Sequence, residues 1–325
     1  MFGPKKFALM KGAAALTAAF FVSAGARAAP LAYITNQKAN SVSIIDTEQG
    51  RVIKTLNLPT GSEPAGIAVS GDGSRVCVAN PTSKDVTIID GRNQSILGTV
   101  PLGSGPVGIA VDQHGQYAYV ADWYEHNLSV VDLASKAVIR RIPVGNSPAG
   151  VAVSQGSAKI FVANRDDNSL SEIDGKTLNV TRTVQVGQHP FGILLSADGK
   201  WLYSANVESN DVSVVDVSSM QVVKTIPVGE RPYALTLAQG RLFVTNQYDN
   251  TVSVIDAVEL NVTGKVQVGE YPEGISTHPD GQHVYVANWF TNNVTVIDAQ
   301  TLKVINTIPT GDGSRAFGEF MPRRI

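Results

Sequence analysis

Four side chains in this sequence are of the types that handle a small polar molecule: Glu63 and His189 as bases, Arg231 as an anion clamp, and Tyr271 as a proton donor. Each stands immediately before a proline-led segment: Glu63-Pro64-Ala65-Gly66, His189-Pro190-Phe191-Gly192, Arg231-Pro232-Tyr233 and Tyr271-Pro272-Glu273-Gly274. Gly105 and Ser147 hold the same place elsewhere, and Arg315, before Ala316-Phe317-Gly318, is read as the last of the series. No nucleophile, base and orienting group follow one another at a usable spacing, so no catalytic residue is assigned.

Metal and haem chemistry find less support. The five histidines, His114, His126, His189, His278 and His283, are scattered, and three of them fall in or beside glycine turns. No His-x-His or His-x-x-x-His pair lies near the varied loops, so no metal site and no cofactor are expected. Covalent c-type haem attachment is excluded because no Cys-x-x-Cys-His occurs; an axial role for His189 toward a noncovalent haem stays open.

The elements that must position these residues are repeats. One unit reads approximately P-x-G-I-A-V, a glycine turn, Y-V-A-N, a short polar loop, V-S-V-I-D, and V-x-x-T-I-P-V-G. Its second strand ends at Asn36, Asn80, Asp122, Asn164, Asn206, Asn246 and Asn288, at intervals of 44, 42, 42, 42, 40 and 42 residues. Its third ends at Asp46, Asp90, Asp132, Asp174, Asp216, Asp256 and Asp298 with the same intervals. Alternating β-branched and aromatic residues bounded by Gly, Asn and Asp mark strands, and four short strands fill the period. The repeated Asn and Asp residues are read as turn-holding acceptors rather than a carboxylate cluster. Cys77, the only cysteine, lies within such a strand and is read as a core residue.

The expected fold is therefore all-β: a seven-bladed β-propeller of four-stranded antiparallel blades. Six proper copies of the first strand occur, and the ring is expected to be closed by a C-terminal strand around Ala316 to Met321 completing the N-terminal blade. The loops then sort to two faces. One carries uniform tight turns. The other carries the residues before the prolines, ringing the channel mouth, and the outer loops with Trp123, Tyr124, Glu125, His126, Arg165 and Trp289, of which Trp123 and Trp289 are the favoured aromatic anchors. The expected ligand-binding set is Glu63, Trp123, Tyr124, Glu125, His126, Arg165, His189, Arg231, Tyr271, Trp289 and Arg315.

Residues 1–28 read as a secretory signal: Lys5, Lys6 and Lys11, an uncharged run of 15 residues up to Arg27, and Ala26 and Ala28 at the cleavage site. Residues 29–325 form the single propeller domain, expected to be a periplasmic or secreted monomer with no transmembrane segment. Loss of the four basic residues of the leader leaves 22 basic against 28 acidic side chains, a net charge of −6. Lys38, Lys84, Arg165, Arg231 and Arg315 are interleaved with acids, which weighs against a nucleic-acid partner.

The segments YITN, YVAD, FVAN, FVTN and YVAN, each followed by SVIID, SVVD or SVID, resemble the YVTN-type β-propeller repeat proteins of bacteria and archaea, over Leu31 to Phe320. The repeat holding Cys77 departs most, since the others carry an aromatic there. The resemblance implies a periplasmic or surface-exposed propeller without one fixed activity; relatives include a periplasmic protein associated with DNA binding and the haem d1 domain of cytochrome cd1 nitrite reductases. The reading favoured on balance is a noncatalytic binding or scaffolding propeller, more plausibly not an enzyme, whose partner is an unknown periplasmic protein or small ligand. The alternatives are a cofactor-bearing or ligand-processing propeller, haem d1-like or of lyase type, and a nucleic-acid-binding or metal-delivery protein.

Overall fold

The computed structural model describes residues 1–3 and 30–322, so the expected signal segment lies, but for its first three residues, outside the described residues. Among the described residues, twenty-seven strands, β1 to β27 in chain order, form seven antiparallel sheets, six of four strands and one of three. Period-2 burial drives this. In β1 (Leu31–Asn36), β2 (Ser41–Asp46) and their counterparts nearly every side chain is buried, because alternate residues pack against the sheets on either side. The outermost strand of each blade, such as β3 (Arg51–Asn57), is largely exposed. No helix among the described residues is long and apolar enough to cross a membrane.

The sheet of β1, β2 and β3 is the closing blade. The second blade runs from β4 (Gly66–Val69) to β7 (Ser95–Pro101), and five more follow over residues 106–143, 148–185, 190–227, 232–267 and 272–309. The inner strands converge on the axis so closely that a Cβ on Gly108 would lie 1.7 Å from the Ala149 carbonyl oxygen, which only glycine permits.

The expected closure by a C-terminal strand is not what forms. The closing blade keeps three strands, and the last segment makes only two isolated bridges, Asn36 to Ser314 and Gly66 to Phe317. Its backbone divides its hydrogen bonds between two blades: Arg315 N–H donates to Thr35 O (2.8 Å) and Tyr33 N–H to Phe320 O (3.0 Å), while Ile67 N–H donates to Phe317 O (2.9 Å) and Val69 N–H to Glu319 O (2.8 Å). The reason is conformational: Ala316 (φ 46°) and Gly318 (φ 121°) turn the chain out of the extended run that a ladder needs. The segment holds by these divided hydrogen bonds and by packing, with Phe317, Phe320 and Met321 buried.

Cys77 is fully buried, as expected, and burial pushes its thiol far above the ordinary range.

Candidate functional site at the channel mouth

The mouth is built on a shared backbone device. Glu63, Ser147, His189, Arg231 and Tyr271 all have φ between 46° and 56°, the left-handed region that side chains with a Cβ seldom enter. Each is held there by an acceptor from the preceding blade. Asn40 Oδ1 accepts from Glu63 N–H (2.9 Å), Asn168 from His189 (2.8 Å), Asn210 from Arg231 (2.8 Å) and Asn250 from Tyr271 (2.9 Å). His126 takes the asparagine's place in its blade, its Nδ1 accepting from Ser147 N–H (3.1 Å), so this candidate ligand residue has its Nδ1 engaged in shaping the loop.

The same device corrects the phase of the last repeat. Asn292 Oδ1 accepts from Gly313 N–H (2.7 Å), and Gly313 O accepts from Gln37 N–H (2.8 Å) just as Tyr271 O accepts from Trp289 N–H (3.0 Å). Gly313, not Arg315, is the seventh member of the ring. Arg315 lies two residues further, in register with Glu273, Tyr233 and Phe191 one step deeper in the channel.

That deeper ring holds the chemistry. Arg315 Nε meets Glu273 Oε2 at 2.6 Å, and an Arg315 terminal nitrogen donates to the Tyr233 hydroxyl (3.0 Å). Gln247 Nε2 donates to Glu273 Oε1 (3.0 Å). The Glu273 side chain is only 5% exposed and that of Arg315 22%. Burial raises Glu273 above the ordinary carboxylate range, with Arg315 pulling against it. Burial, and next the Glu273 charge, raise the Tyr271 phenol. Beneath lies an aromatic plug: Phe191 stacks on Tyr233 at 4.3 Å between ring centres, and Phe317 closes on both at 4.9 and 5.3 Å.

Above the plug is a cavity of about 450 Å³ lined by Gln37, Lys38, Glu63, Tyr271, Glu273, Trp289 and Arg315. Of the expected ligand residues it unites Glu63, Tyr271, Trp289 and Arg315. Lys38 Nζ lies 5.0 Å from the Trp289 ring centre, and Tyr271 packs against Trp289 (5.6 Å) and Phe290 (5.1 Å). Trp289 Nε1 is buried without a hydrogen-bond partner, as are Arg231 Nε and His189 Nδ1 at the rim.

The other expected residues stand apart. Trp123 packs on Phe191 (6.0 Å) under the Arg165 guanidinium (5.4 Å), outside the cavity and not against Trp289. Arg165 pairs with Asp166, Tyr124 is 69% exposed, and Glu125 accepts from the Ser104 hydroxyl (3.2 Å). His189 and Arg231 share Glu208 at 3.9 Å each, and Arg231 covers the Tyr248 ring (4.9 Å). The sequence reading missed Glu273 and the plug. Its available signal was an acid at the position after proline, where other repeats carry Ala, Val, Phe or Tyr.

At the opposite end of the channel, away from the mouth, stands a cluster of metal-ligating types that the search for histidine pairs did not include. His278, Asp280 and His283 bring three ligand atoms within 4.8 Å of one another, because residues on both sides of one hairpin turn fold back on its aspartate.

The YNCE-like β-propeller family model matches residues 152–240 and 231–312. No curated protein matches the sequence. Among solved structures, Kuenenia stuttgartiensis hydrazine synthase is similar at 22% identity over 78% of this chain and 88% of that one, with a TM-score of 0.71. A functionally unknown protein from Desulfotomaculum acetoxidans DSM 771 is 14% identical over 91% and 99%, TM-score 0.78. Dihydro-heme d1 dehydrogenase NirN in complex with DHE is 20% identical over 85% and 63%, TM-score 0.66. At these identities the likeness is one of fold. With a His/Asp cluster that could hold a metal ion in this chain and two enzymes among the structures that share its fold, the reading of a noncatalytic propeller that is not an enzyme gives way to the alternative weighed beside it.

Proposed function

Because the chain belongs to the YNCE-like β-propeller family, we propose that it is a cofactor-bearing or ligand-processing propeller of the periplasm, working at the channel mouth. The observation that carries this reading is the set of groups converging on one cavity: the buried Glu273–Arg315 pair at its floor and the partnerless indole N–H of Trp289 in its wall. Arg315 spends Nε on Glu273 and one terminal nitrogen on Tyr233, leaving its second terminal nitrogen for an oxyanion. Lys38 adds positive charge, and Trp289 and Tyr271 offer ring faces to a flat body. The ligand class is thus a small planar molecule or organic cofactor bearing a carboxylate.

Glu273, with Oε2 against Arg315 and Oε1 accepting from Gln247, holds the guanidinium in place to steady negative charge on such a ligand. Hydrazine synthase and dihydro-heme d1 dehydrogenase are enzymes of the same fold, which supports placing chemistry on a propeller face.

The test is native mass spectrometry and absorption spectroscopy of protein purified from periplasm, beside an Arg315→Ala/Trp289→Phe variant. A carboxylate-bearing molecule retained by the wild type and lost from the variant is expected. A wild type that retains nothing, and whose melting temperature is unmoved by a panel of carboxylate cofactors, would sink the proposal.

A further inference from the structure

The turn His278-Pro279-Asp280-Gly281-Gln282-His283 closes the hairpin between the inner strand Pro272–Thr277 and its neighbour His283–Asn288. His278 N–H donates to His283 O (2.9 Å), so the two histidines stand opposite each other. Asp280 folds back between them: its Oδ1 accepts from the Gln282 N–H (2.6 Å), and its Oδ2 lies 2.9 Å from His278 Nδ1 and 2.6 Å from His283 Nδ1.

The tautomer of His278 follows from its other nitrogen. Nε2 lies 3.0 Å from the Thr47 hydroxyl oxygen, whose single hydrogen is already given to Pro30 O (2.7 Å). Nε2 must therefore donate, and in the neutral ring Nδ1 carries a lone pair. That lone pair accepts from the Asp280 backbone N–H (3.2 Å) and lies 2.9 Å from Asp280 Oδ2, so a cation seated beside it would be held by both ligand atoms. Tyr285, stacked at 5.9 Å, fixes the ring plane, and the Thr47 contact is the kind of outer partner that orients a metal-ligating imidazole. The side chains remain accessible, at 13%, 30% and 32% exposure for His278, Asp280 and His283.

We infer that His278 Nδ1, Asp280 Oδ2 and His283 Nδ1 form a binding site for a divalent transition-metal ion, zinc or copper by the nitrogen and oxygen character of its ligands. Bonds of roughly 2.0–2.2 Å to a tetrahedral ion set ligand atoms about 3.4 Å apart, so the two contacts with Asp280 Oδ2 need open by less than about 1 Å. Three protein ligands leave a coordination position for water or a small ligand. His278 also lines a largely apolar cavity of about 560 Å³ at this end of the channel, with Ile193, Leu235 and Ile275. The site is independent of the mouth and of the function proposed there.

Apo protein is titrated calorimetrically with zinc, and with cobalt for its visible absorption. One equivalent of either metal is expected. Asp280→Asn and His283→Gln should each weaken binding at least tenfold, and Thr47→Val should weaken it by about 10- to 100-fold through the outer contact. Circular dichroism of each metal-free variant checks that the hairpin is intact. The inference is overturned if the wild type binds no more metal than a folded His278→Gln/His283→Gln variant, or if the metal is lost from His189→Ala instead.

Discussion

The two ends of the channel are made by the same seven inner segments, yet they are held open by different means. At the mouth the backbone is fixed from outside, by an acceptor of the preceding blade (an Asn oxygen, or His126 Nδ1 for Ser147) on the N–H of a left-handed residue, so the side chain there can be Glu, Ser, His, Arg or Tyr without altering the path. At the far end side chains such as Ile109, Val151, Ile193, Leu235 and Ile275 line the cavity and set its shape themselves, so they cannot vary far. Diversity collects where the shape does not depend on the side chain.

The plug that parts the two ends offers the largest test. Phe317→Ala removes a buried ring that touches Phe191 and Tyr233 and should cost about 3–5 kcal/mol in denaturant unfolding. A loss under about 1 kcal/mol would mean that the surrounding rings close the gap and the ends are not parted by this residue.

The backbone device comes next. Asn168→Ala should destabilise by about 1–2 kcal/mol, because it strips the acceptor from His189 N–H. His189→Gly, by contrast, relieves a positive φ and should stay within about 1 kcal/mol of the wild type. Equal losses in thermal unfolding would contradict a mouth shaped by its backbone.

The smallest effect is a difference of sign with pH. At the mouth, Asp122 replaces the asparagine of the other blades, with Oδ2 buried and partnerless, and burial, then the Glu125 charge against its N–H partners, raises its pKa. A raised carboxyl costs stability as pH rises through its range, so Asp122→Asn should stabilise at neutral pH by about 1 kcal/mol. At the far end Asp216, bonded by the Ser218 hydroxyl and the Ser219 N–H, is lowered to about 2. Its contribution is present above the unfolded carboxyl range near ~4 and lost as pH falls toward about 2, so Asp216→Asn should flatten the acid limb of the melting curve there.

Much of this was legible in the chain alone. The spacing of Asn and Asp at strand ends gave seven blades and two faces, because turn chemistry and period-2 packing are local and repeat in phase. His278, Asp280 and His283 all lie within one turn and so are local in the chain, but the histidines are separated by four residues, which is neither His-x-His nor His-x-x-x-His, and only the folded turn brings the aspartate between them. The rest needed the ring. Glu273 and Arg315 are 42 residues apart and meet only because their segments are neighbours about the axis. The phase of the last segment could be read from Ile308-Pro309-Thr310-Gly311, which aligns with Ile226-Pro227-Val228-Gly229 and puts Gly313 opposite Arg231, but the missing proline hid it. In the fold the Asn292–Gly313 hydrogen bond fixes that phase and leaves Arg315 in the deeper ring.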